Sequence, residues 1–108
     1  MLFRSLMVEL FDQQVRAIAN PQRLAILDWL KDPRAYFREQ TDGDLEDDGV
    51  CALLIAEKLQ LAQPTTAQHL KLLVDARLLI PKKIKKWTFY RRDEASLAIL
   101  RSMIADRL

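Results

Sequence analysis

Cysteine, histidine and glycine are scarce in this 108-residue chain, with one Cys, one His and two Gly. A single thiol, Cys51, cannot form an internal disulfide, so nothing ties the chain to an oxidising compartment. Two Gly and four Pro exclude fibrous and low-complexity architectures. No glycine-rich phosphate loop occurs and no cysteine–histidine pairing suggests a nucleophile, so no catalytic residue is assigned. Long apolar runs are missing too. The opening MLFRSLMVELF is broken by Arg4 and Glu9, which denies it the core of a signal peptide. No stretch approaches the roughly 18 apolar residues of a membrane helix. The expectation is a soluble cytoplasmic protein with a single domain over residues 1–108.

What is present is ordinary for a folded domain: 50% hydrophobic and 30% charged residues. The net charge of +2 conceals three unlike segments. Residues 1–62 carry seven basic and eleven acidic side chains, −4 in sum. Residues 63–92 carry eight basic and one acidic, +7, and residues 93–108 carry two basic and three acidic, −1. A cation cluster confined to thirty residues is how a polyanion-binding face looks in sequence, although a solvated Lys/Arg surface would look the same. The structure carrying the charge decides between them.

Phe3, Leu6, Met7, Leu10 and Phe11 recur at helical spacing, and Val15 and Ile18 continue the stripe, which predicts an amphipathic first helix. Asn20-Pro21 supplies a cap and a first-turn proline for a second helix over PQRLAILDWLK, ended by Asp32-Pro33. The segment 34–40 is ambiguous. Residues 41–49, TDGDLEDDG, hold five acids and two Gly and read as an exposed loop. Their DxDxE opening is that of a calcium loop, but Asp47 stands at the required glycine and Leu53 at the closing glutamate. The pattern predicts a third helix over Val50–Leu59. After the break Gln60-Leu61-Ala62, Pro64 opens a fourth that runs to about Ala76.

Two short helices joined by about three residues form a helix-turn-helix, with Leu70, Leu73 and Val74 turned inward. The period then shortens. LLIPKKIKKWTFYRR over 78–92 reads as a two-stranded β-hairpin with a basic tip. Lysine resists positive φ, so a four-residue loop at about 83–86 is expected. Trp87, Phe89 and Tyr90 would pack the hairpin on the helices. Asp93 caps a last helix carrying Leu97, Leu100 and Ile104, widened by Ile99 and Met103. The fold class is mainly α (α+β), a winged helix-turn-helix with about five helices and a two-stranded wing.

Early residues of a recognition helix face base edges in the major groove. Gln63, Pro64, Thr65, Thr66, Gln68, His69 and Lys71 are therefore the candidates on that helix. Glutamines can pair with adenine, and threonine methyls can meet thymine methyls. Lys82, Lys83, Lys85, Lys86, Arg91 and Arg92 would contact phosphate, which supplies affinity but no sequence information. The apolar residues Phe3, Leu6, Met7 and Leu10 of the first helix, with Leu97, Leu100 and Ile104 of the last, exceed what one small core needs. They are the candidate dimer face.

The ordered set of stretches Ala19–Leu27, Ile55–Leu59, Gln63–Leu73 and Trp87–Arg91 resembles the ArsR family of bacterial repressors, within residues 15–92. The resemblance implies a homodimeric repressor on an inverted-repeat operator, with paired terminal helices and an affinity altered by a signal. It also implies that His69 is structural or faces DNA. Residues 33–49 are longer and more acidic than the family's link, and the wing tip lacks the usual glycine. One family metal site begins with two cysteines, where this chain has Gly49 and Cys51; another needs histidine on the last helix, where residues 93–108 have none. One thiol and one imidazole per chain do not make a four-coordinate zinc site, so no metal or cofactor is expected, and the inducer stays unidentified. Cys51 reads as a small buried apolar residue. Two other functions fit the same residues: a thiol sensor acting through Cys51, and a winged-helix protein-interaction module using the acidic loop.

Overall fold

Helix boundaries fall where proline and asparagine punctuate the chain. The computed structural model describes residues 2–108, the side chains of Phe3 and Arg4 excepted. Helix α1 (Leu2–Ile18) is followed by α2 (Pro21–Lys31), whose Asn20 cap accepts a hydrogen bond from the Arg23 amide at 3.0 Å. A single turn, α3 (Pro33–Tyr36), occupies part of the segment that the sequence leaves ambiguous. Then come β1 (Val50–Cys51), α4 (Ala52–Leu59), α5 (Gln63–Asp75), β2 (Leu79–Ile84), β3 (Trp87–Arg92) and α6 (Glu94–Arg107). This is the expected winged helix-turn-helix, enlarged by α3 and by a third strand.

The strands form an antiparallel sheet in the order β1-β3-β2. Val50 and Cys51 pair with Tyr90 and Phe89 instead of opening the following helix, as the sequence suggests. Two features hold them extended. Gly49, at φ 105°, lies so close to the Tyr90 carbonyl that a Cβ would stand 2.3 Å from its oxygen. The Gln40 amide brackets the strand, donating to the Gly49 carbonyl at 2.6 Å and accepting from the Cys51 amide at 3.1 Å.

At the wing tip Ile84 pairs with Trp87, so the turn is the two residues Lys85-Lys86 and not four. Lys85 alone of the two takes positive φ, 55°. The register of twelve paired residues on β2 and β3 outweighs one strained lysine.

The core joins Ile26 of α2, Ile55 of α4, Leu70 and Leu73 of α5, Leu78 and Phe89. Residues 41–49 contribute to it as well. Leu45 is buried, so the segment is not the freely exposed loop its acids suggest. Beyond α5, Arg77 at φ 61° and a hydrogen bond from the Leu78 amide to the Leu73 carbonyl, 2.9 Å, turn the chain into β2. Among the described residues, no helix is long and apolar enough to cross a membrane.

Candidate nucleic-acid interface

The turn between α4 and α5 fixes the pose of α5. Gln60 adopts the left-handed conformation at φ 57°, and the Leu61 amide closes on the Ala56 carbonyl at 3.2 Å. Helix α5 then sinks Leu70 and Leu73 into the core, which leaves Gln63, Pro64, Thr65, Gln68 and Lys71 exposed. Thr65, Gln68 and Lys71–Leu72 follow one another at helical spacing, so they form a single solvent stripe.

Not every residue of α5 expected to touch DNA lies on that stripe. Thr66 is 1% exposed, with its hydroxyl buried and without a partner, so its methyl cannot meet a base. Its polarity suggests a surface residue, but its spacing from Leu70 and Leu73 puts it on the inner face. Lys71 reaches back to Asp75 at 2.9 Å, an exposed pair of little energetic weight that a phosphate can replace.

His69 is half-buried, and its Nδ1 lies 3.1 Å from Arg23 Nη1. A guanidinium can only donate, so Nδ1 accepts and the imidazole is neutral in this arrangement. Burial first, and the Arg23 charge second, hold its pKa below the ordinary histidine value. Arg23 also donates to the carbonyls of Ala17 at 2.6 Å and Arg16 at 3.3 Å. His69 therefore ties α5 to the junction of α1 and α2.

The wing carries its cations outward, and Lys82, Lys83, Lys85, Lys86 and Arg91 are all exposed. They are not equally available. Lys82 pairs with Asp48 at 2.5 Å and Lys85 with Asp42 at 3.1 Å, while the Lys86 ammonium lies 5.4 Å from the centre of the Trp87 ring. Among the described residues, Lys83 and Arg91 have no ion pair. Arg92 departs from its expected role: it donates to the Leu27 carbonyl at 3.0 Å and to both Glu94 oxygens, so it clamps β3 to α2 and α6.

Of the terminal helices, α1 keeps the exposed apolar residues. Leu6 is 55% and Met7 44% exposed, and Leu10 is half-buried. The side chain of Phe3 lies outside the described residues. On α6, Leu97 and Leu100 are 7% and 3% exposed, and Ile104 packs against the core. These three cover the chain's own interior, and the exposed large hydrophobic residue of that helix is Ile99. The spacing of Leu97, Leu100 and Ile104 shows an apolar face but not which body covers it.

Cys51 is buried, on the wall of a cleft of about 300 Å³ between residues 38–42, the start of α4 and the wing. Among the described residues, no three His, Cys, Asp or Glu side chains gather as a metal site would require. Sequence reasoning missed the docking of the acidic segment on the wing. The signal was there in the opposite charges of residues 42–48 and 82–86, but separations of 34 and 43 residues hid the pairing.

A helix-turn-helix with an exposed polar stripe and a basic hairpin defines a winged DNA-binding protein. Known proteins agree. The chain is 39% identical over 85 residues to the uncharacterized HTH-type transcriptional regulator YbzH of Bacillus subtilis (strain 168), spanning 79% of this chain and 85% of that protein. No protein-family model matches it. Its fold is similar to the crystal structure of an ArsR family transcriptional regulator, with a TM-score of 0.69 at 18% identity over 92% of this chain and 87% of the other. It is also similar to the homodimeric winged helix-turn-helix DNA-binding domain of a possible ArsR-family transcriptional regulator from Mycobacterium bovis. There the TM-score is 0.67 at 20% identity, covering 95% of this chain and 84% of that one. The chain belongs to the HTH-type transcriptional regulators, and its fold is the one seen in ArsR-family regulators.

Proposed function

We propose that this regulator is a homodimeric repressor that binds an inverted-repeat operator, reading bases with α5 and gripping the backbone with its wing. One observation carries the reading. The stripe of Thr65, Gln68 and Lys71 lies opposite a face locked into the core, so the helix is held rigidly with hydrogen-bonding side chains outward. Gln63, Thr65 and Gln68 are the base-reading candidates, with Pro64 setting the helix start. Lys71, Lys82, Lys83, Lys85, Lys86 and Arg91 are the phosphate contacts.

The exposed apolar residues of α1 support dimerisation, as does the homodimeric state of the similar Mycobacterium bovis domain. A two-fold pair would set the two α5 helices roughly 34 Å apart, one turn of DNA. A regulator of transcription acts beside the chromosome, which favours the cytoplasm. The relatives are regulators, which favours a non-enzymatic role. No cofactor enters this scheme.

The test is a band shift on the DNA upstream of the protein's own gene. The expected outcome is a complex at roughly 10 nM protein or below that survives an excess of scrambled competitor. Equal loss to specific and scrambled competitor, or no complex at all, would contradict the proposal and favour a protein-contact module.

A further inference from the structure

We propose that the acidic segment 41–49 is an internal phosphate mimic, which clasps the wing and competes with DNA for Lys82 and Lys85. The inference rests on the DNA-binding reading and adds a restraint to it.

The segment is built to hold its carboxylates in place. Leu45 plugs the core, and Gly43 lies so close to the Phe89 ring that a Cβ would stand 3.0 Å from it. Asp44 accepts from the amides of Glu46 at 3.0 Å and Asp47 at 2.9 Å, while Asp48 accepts from the Asp44 amide at 2.7 Å. Arg34 meets Asp44 and Glu46 of the segment at 2.9 and 2.7 Å, and Glu39 just before it at 3.2 Å, so two of the segment's acids are answered locally. Asp42 and Asp48 instead face the wing.

The two sides of the clasp differ in freedom. The side chains of Asp42 and Asp48 are 26% and 17% exposed, against 72% and 51% for Lys85 and Lys82. The anions are anchored, and the lysines are the parts that can swing away. An exposed ion pair adds little to stability. Its effect on DNA binding is larger, because a lysine held by a carboxylate neutralises no phosphate and so releases no counterion from the DNA. Each phosphate contact normally adds about 0.9 to the slope of log K against log salt. Two clasped lysines should therefore subtract up to about two units. The loss falls on all sequences alike, which keeps the protein off non-specific DNA and leaves discrimination to α5.

The experiment measures binding of the full chain to a scrambled duplex and to the specific duplex at several salt concentrations. Asp42→Asn with Asp48→Asn keeps oxygen acceptors and shape while removing both charges. The variant should bind both duplexes roughly tenfold more tightly near 0.1 M salt, with a salt slope steeper by up to about two. Asp12→Asn with Asp28→Asn makes the same change in net charge at exposed acids of α1 and α2. It should produce less than a third of that gain. Circular dichroism melting confirms that each variant is folded; if the clasp variant does not fold, Asp42→Asn alone supplies the answer, with a salt slope steeper by up to about one. Unchanged affinity and slope in the clasp variant, or an equal gain in the control pair, would overturn the clasp while leaving the DNA-binding reading intact. Failure of both wild type and variant to bind any duplex would overturn that reading and the clasp with it.

Discussion

Replacing Leu6 and Met7 together by glutamate is expected to yield a folded monomer whose affinity for the operator is at least about 100-fold below wild type. Both side chains project from α1 and cover none of the chain's core, so their loss should leave the fold intact. Glutamate is a good helix former, so α1 itself should persist. Two like charges per chain would meet their copies across a two-fold axis, where a self-complementary apolar patch cannot accommodate them. A monomer engages one half-site, and the gain from joining two half-sites, typically 10²–10⁴, disappears. Light scattering at micromolar concentration, paired with a band shift, checks both halves of the expectation. A persistent dimer would move the interface off α1. The same change at Leu97 and Leu100 should unfold the protein, because those side chains fill its interior.

Gly49→Ala should remove about 3 kcal/mol or more of stability, one of the largest losses any single methyl can cause here. The added Cβ would lie 2.3 Å from the Tyr90 oxygen and 2.4 Å from its carbonyl carbon, at φ 105°, where side chains are strained even in open space. Backbone cannot step aside as a flexible side chain can, so β1 would peel from β3 and take the Gln40 bracket with it. Gly43→Ala should cost less, since its neighbour is the edge of the Phe89 ring, although its φ of 88° keeps some strain. Denaturant unfolding of both variants ranks them. A loss under about 1 kcal/mol at Gly49 would show that β1 is not held as described.

How much of this was legible in the sequence depends on the length of each pattern. Helix α5 announced itself through Pro64 and the spacing of Leu70 and Leu73, and the wing through the alternation of Ile80, Lys82 and Ile84. Strand β1 did not, because two residues carry no period, and Val50-Cys51 looks like the first turn of the helix it precedes. The wing turn was misjudged for a sound local reason, the reluctance of lysine to take positive φ, which cross-strand pairing overrode. Thr66 and Arg92 were assigned by chemistry alone. Their roles follow from where the fold points them, one into the core and the other onto the Leu27 carbonyl. The docking of residues 41–49 joins partners too distant in sequence for any window to connect.

A titration of Gln68→Ala and of Lys83→Ala with Lys86→Ala, on specific and scrambled duplexes at several salt concentrations, tests most directly that α5 reads bases while the wing holds the backbone. Gln68 is exposed on the α5 stripe, and Lys83 and Lys86 are the wing lysines outside the clasp. Gln68→Ala should weaken the specific duplex by roughly 1–3 kcal/mol and leave the scrambled one nearly unchanged. The lysine pair should weaken both duplexes alike and flatten the salt slope by up to about two units. The contrary pattern, specificity lost with the lysines and only general affinity lost with Gln68, would contradict this division of labour.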